Sequence, residues 1–169
     1  MNRIYNIYRE NLVTGSSIYS FHKDGYNIKS NEYKKNAFFE LRKINQNKEI
    51  INIDLCISGI ISKFLVIREM NKITINDREV FTKGKSYFFQ ELLYNYNSID
   101  TSSILRRHKS IQIWDDSLSS INLYDIYEID QYDKLIIKPI PANIKFNNIG
   151  LLEKYECLNN YKIMLDKGE

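Results

Sequence analysis

The sequence predicts an α+β fold: one globular domain spanning residues 1–169, mostly antiparallel sheet, with two or three helices packed on it. Three observations lead there. The chain holds 27 Ile and 13 Tyr, and β-branched and aromatic side chains suit a pleated, half-buried surface. The segments 31–47 and 86–99 repeat apolar residues at helical spacing. Strand-like and helix-like segments also mix without the regular βαβ alternation of a parallel sheet.

Each element has its own signal. Ser17–His22 and Tyr26–Lys29 flank Lys23-Asp24-Gly25, a hairpin turn in which Gly25 is expected to take a positive φ. Ser30 or Asn31 then caps a helix in NEYKKNAFFELRKINQN, with Tyr33, Ala37, Phe38, Leu41 and Ile44 on one face. Glu49–Ile57 alternates strictly, with Ile51, Ile53, Leu55 and Ile57 opposite Asn52 and Asp54, as in a half-buried strand. Ile60–Met70 fits a buried strand and a helix equally. Lys72–Ile75 and Arg78–Thr82 form a second hairpin around Asn76-Asp77. Ser86 opens a helix carrying Phe88, Leu92 and Tyr96. Beyond it, Ile111 and Ile113 alternate in a strand, and Ile121–Ile129 reads as another. Leu135–Ile140 is a buried strand ending at an edge, where Pro139 and Pro141 stop it. Asn143–Asn147 pairs back, Leu151–Leu158 is helical, and Tyr161–Leu165 is the final strand.

Composition narrows the class. Hydrophobic residues are 43% and charged residues 27%, the proportions of a globular domain rather than a disordered chain. Ile, Lys, Tyr and the 19 Asn share A/T-rich codons, which points to a bacterial or phage gene. The apolar run IISKFLVI is too short to span a bilayer, and MNRIYNIYRENL lacks the apolar core of a signal peptide. The expectation is a cytoplasmic protein with no membrane partner. Cys56 and Cys157 stand in no metal-like spacing.

Chemistry is sparse. The 6 Gly form no phosphate loop, so no nucleotide cofactor is expected. Lys83-Gly84-Lys85, ahead of Ser86, could offer charge to an anion, although a basic turn explains it as well. Neither His22 nor His108 has a Cys or His at ligand spacing, so no metal site and no catalytic residue is assigned. Asp24 with Glu32-Tyr33-Lys34 imitates a nuclease Asp…Glu-x-Lys set, but only if those groups converge from neighbouring strands.

Charge is unevenly placed. Residues 1–114 carry 18 basic and 11 acidic residues, a net +7, whereas residues 115–169 carry 6 and 10, a net −4. The boundary lies in SILRRHKSIQIWDDSLSSINLYDIYEIDQYD. Its basic run, Arg106, Arg107, His108 and Lys109, could hold nucleic acid or serve a metal-independent ribonuclease. Its acidic run interleaves Asp115, Asp116, Asp125, Glu128, Asp130 and Asp133 with Tyr124, Tyr127 and Tyr132. Tyrosines supply rigid contact area, and carboxylates steer a basic partner toward it. The acidic run is therefore the expected partner-binding surface of a non-enzymatic module that neutralises a protein. A bacterial toxin-neutralising immunity protein or phage-type inhibitor, bound to a basic toxin or nuclease domain, fits that description. Nucleic-acid binding through Arg106–Lys109 is the alternative, and a small-molecule partner is not expected.

Overall fold

The computed structural model describes residues 2–82, 85–94, 111–116, 121–129, 134–137, 141–146, 152–157 and 160–168. Among these residues the chain is almost entirely antiparallel β-sheet, and the expected α+β class is corrected to all-β. The strands are β1 (Asn2–Arg9), β2 (Leu12–His22), β3 (Gly25–Glu32), β4 (Lys35–Asn45), β5 (Lys48–Ile57), β6 (Ile60–Arg68), β7 (Lys72–Ile75) and β8 (Arg78–Phe81). After β9 (Tyr87–Phe88) and the six-residue helix α1 (Phe89–Tyr94) come β10 (Ile111–Asp116), β11 (Ile121–Ile129), β12 (Lys134–Ile137), β13 (Pro141–Phe146), β14 (Leu152–Cys157) and β15 (Tyr161–Leu165). All fifteen strands join one sheet ordered β8-β7-β6-β5-β4-β3-β2-β1-β15-β14-β13-β12-β11-β10-β9. Every pair is antiparallel except β9–β10. No helix among the described residues is long and apolar enough to cross a membrane.

Two expected helices are strands, and each error has a local cause. In 31–47, Ala37, Phe39 and Leu41 face inward, and Phe39 and Leu41 are buried. Ala37 and Leu41 satisfy a helical face as well as a strand face, because the adjacent pair Phe38-Phe39 blurs the period. Pairing decides between them: β4 has a partner along its length on both sides, in β3 and β5. Lys34, at φ 60°, turns the chain between β3 and β4. In 151–158, Leu152 and Tyr155 are both buried, a spacing of three that imitates a helix turn. That spacing comes from a β-bulge. Lys145 pairs with Lys154 and Phe146 with Leu152, so Glu153 is the extra residue and shifts the alternation by one. Of the third expected helix, 86–99, the described part holds β9 and the short α1.

The hairpins around Lys23-Asp24 and Asn76-Asp77 form as expected, and Asn76 and Asp77 have φ values of 46° and 68°. Gly25 plays a different part from the one expected. It pairs with His22 and Arg42 and is not in the left-handed region. A Cβ at Gly25 would lie 1.8 Å from the Leu41 carbonyl oxygen, so close backbone approach is what requires glycine. Pro141 opens β13, a position that needs no ladder donor, and β12 lies inside the sheet between β11 and β13 rather than at an edge.

Cross-strand register builds the core in rows on one face. Arg3, Tyr19, Ile28, Phe39, Ile53 and Phe64 align across β1–β6, and Phe21, Tyr26, Leu41, Ile51, Val66 and Ile75 align across β2–β7. A third row runs Tyr5, Ser17, Ser30, Ala37, Leu55. Its small residues leave room above the sheet, and the returning chain occupies that room. Phe88 packs on Phe39 with ring centroids 5.7 Å apart, and Tyr94 meets Tyr5 edge-on at 5.0 Å. Each such pair contributes about 0.5–1.5 kcal/mol beyond its buried area. The Tyr94 phenol hydrogen-bonds Ser17, whose Oγ lies 2.6 Å from Ser30 Oγ. Burial raises the Tyr94 pKa above its ordinary value and keeps the phenol neutral.

Gly25→Ala is expected to destabilise the fold by about 2–3 kcal/mol, because backbone rather than a flexible side chain occupies the Cβ position. Gly59→Ala, at φ 81° with nothing within 4 Å, should cost only about 1–2 kcal/mol of backbone strain. Urea unfolding of the two variants checks the order, and a Gly25 variant no weaker than the Gly59 variant would contradict it.

Candidate functional site

The inward rows end in charge. Glu49 has the same alternation as Ile51, Ile53 and Leu55, and Arg68 has that of Val66. These two residues pair directly across β5–β6, one position beyond the apolar stripe. Arg68 is 2% exposed and Glu91 of α1 is 1% exposed, so both charges are removed from water.

Arg68 meets the resulting desolvation cost with a saturated set of acceptors. Its Nε donates to Glu49 Oε2 at 2.7 Å. Its Nη1 donates to Glu91 Oε2 at 2.6 Å and to the Ser86 carbonyl at 3.0 Å, while Nη2 donates to Glu91 Oε1 at 2.8 Å. The Glu91 contact is thus a two-pronged fork of the kind a planar guanidinium makes best. Glu91 also accepts the Phe88 backbone N–H at 2.7 Å, the reach-back bond of a capping box from the third helical position. Lys85 donates to Glu49 Oε1 at 3.4 Å, and Lys85 and Arg68 each lie 5.5 Å from the Tyr87 ring centroid.

Electrostatics favour the charged forms of Arg68 and Glu49. Burial opposes the charge on Arg68, but Glu91 and then Glu49 overcome it and raise its pKa. Burial likewise pushes the Glu49 carboxyl up, yet Arg68 and then Lys85 outweigh it and hold the carboxyl below its ordinary 4.5.

Beside this cluster, at the rim of the inward face, is a cavity of about 290 Å³. Arg68, Glu49, Glu91 and Lys85 line it, with Phe21–Tyr26, Leu41 and Lys43. Among the described residues no group of His, Cys, Asp and Glu could hold a metal ion.

The residues singled out from sequence lie elsewhere. Asp115 and Asp116 are the last residues of β10, and Tyr124, Asp125, Tyr127 and Glu128 belong to β11. The two strands are antiparallel neighbours, with Gln112 opposite Asp125, Ile113 opposite Tyr124 and Asp115 opposite Asn122. Asp130, Tyr132 and Asp133 lie outside the described residues, as do Arg106, Arg107, His108 and Lys109. The nuclease-like set does not converge: Asp24 precedes β3 and Glu32 ends it, where Glu32 accepts from Arg9 Nε at 2.5 Å.

Sequence reasoning missed Glu49, Arg68 and Glu91. Their signal was an acid and a base continuing apolar strand faces, where alternation predicts burial.

Arg68→Met would leave two buried carboxylates facing one another and should cost about 3–5 kcal/mol, whereas replacing all three charges with Arg68→Met, Glu49→Leu and Glu91→Leu should recover most of that loss. Urea titrations of the single and triple variants test this, and a single-variant cost under about 1 kcal/mol would refute it. The depressed Glu49 pKa contributes stability that is present above its ordinary 4.5 and lost as pH falls through the lower folded value. The unfolding midpoint should therefore drop as pH falls below 4.5, and more steeply than in Glu49→Gln; parallel pH profiles would exclude that linkage.

Comparison with protein-family models, with curated proteins and with solved structures found no match.

Proposed function

We propose that this chain is a non-enzymatic protein-binding module that neutralises a basic partner protein, in the manner of a toxin-neutralising immunity protein or a phage inhibitor. The observation that supports this reading is the setting of the acidic run. Asp115, Asp116, Tyr124, Asp125, Tyr127 and Glu128 belong to two paired strands rather than to a loop. Paired backbone fixes the spacing of such residues in advance, which lowers the entropy cost of docking. Among the described residues the sheet continues beyond β10 only into the two-residue β9, so the run lies close to one end of the described sheet. The net −4 of residues 115–169 favours encounter with a cationic surface over a nucleic acid.

The test is co-expression with the product of the neighbouring gene, followed by calorimetry on the isolated pair. Asp125→Asn, Glu128→Gln and Asp130→Asn together should weaken binding about 10–100-fold at low salt, mainly through slower association, with a smaller effect at high salt. An identified partner bound with unaltered affinity would remove the acidic run from the interface.

A further inference from the structure

We propose that the cavity at the rim of the inward face binds a small phosphate-bearing molecule, held by Lys23, Lys43 and Lys85. The inference is independent of partner binding by the acidic run and rests on how charge is distributed around the cavity.

The acids of the lining are occupied. Both Glu91 oxygens take Arg68, and one of them also takes the Phe88 N–H. Glu49 takes Arg68 on one oxygen and Lys85 on the other. These two carboxylates and two cations offset one another in charge. That leaves Lys23 and Lys43 against Asp24, a cationic excess at the mouth. Among the described residues neither Lys23 nor Lys43 is within ion-pair distance of an acid, and both are exposed. An anion is therefore the complement of this site.

Geometry narrows the anion to phosphate. A planar carboxylate is best met by a guanidinium fork, and Arg68, the one arginine lining the cavity among the described residues, has given its fork to Glu91. What remains is Lys23 and Lys43, together with the two donors Lys85 keeps after its bond to Glu49, carried by the β2–β3 turn, by β4 and by the segment before β9. Donors carried by three separate segments suit the several oxygens of a tetrahedral dianion. Phe21 and Tyr26 add an aromatic wall for a small organic substituent. A volume of about 290 Å³ is at the lower end of ligand cavities, so the molecule is small.

The probe is inorganic phosphate, followed by the ring resonances of His22, which lines the same cavity. The expected result is saturable movement of those resonances with a dissociation constant of about 1 mM, as few-contact anion sites give. The double variant Lys23→Ala/Lys43→Ala should fold normally, because both side chains are exposed, and should weaken binding about 10-fold or more. Lys34→Ala, in the turn after the far end of β3, should leave binding unchanged. No response at about 20 mM phosphate, equal weakening by Lys34→Ala, or an equal response to acetate at matched ionic strength would each overturn the proposal.

Discussion

The structure depends on one guanidinium. Arg68 ends the sixth strand, next to the apolar row that runs from Phe21 to Ile75, and would be intolerable there alone. Glu49 comes from the adjacent strand, but Glu91 and the Ser86 carbonyl come from the chain that returns above the sheet. One side chain therefore ties the sheet face to the segment that covers it. Apolar residues of similar volume could fill the same space. The ion pair differs in being directional: it fixes where Glu91 must stand, and Glu91 in turn fixes the first turn of α1 through the Phe88 N–H.

Packing above the sheet follows from that anchor. With β9 and α1 held over β4–β6, Phe88 reaches Phe39 and Tyr94 reaches Tyr5. The small row of Ser17, Ser30 and Ala37 lies under this segment and is as specific as the aromatic contacts around it. The opposite face mixes polar and apolar residues: Asn27, Glu40 and Asn52 share a register row that continues into the exposed Leu65. Part of the high asparagine content is thus accommodated on a solvated sheet surface, where a polar side chain costs little.

Much of the fold was legible, and the failures are instructive. Strict alternation identified Glu49–Ile57, and the turn residues located two hairpins, because those signals depend only on neighbours in sequence. Residues 35–45 failed because Ala37 and Leu41 satisfy two periods, and only the partner strands on either side choose between them. Residues 152–157 failed because a single bulged residue converts a period of two into an apparent three. The cavity was the least legible part. It assembles Lys23, Lys43, Glu49, Arg68, Lys85 and Glu91 from five separate segments, none with a motif of its own. Only Lys85 lies in a run whose sequence suggested anion affinity.

The pairing of β1 with both β2 and β15 sets the order in which the sheet can be completed. Strands β1–β8 are linked by successive hairpins, so each can find its partner as soon as both have left the ribosome. One edge of β1, however, pairs across Tyr5–Arg9 with Tyr161–Leu165 and stays open for more than a hundred further residues of synthesis. During that interval the nascent protein carries a β-edge in what will become the middle of its sheet, and an open edge is a template for wrong pairing. Completion of the fold is thus a late, long-range event. Its rate should govern how much of the newly made chain reaches the native state.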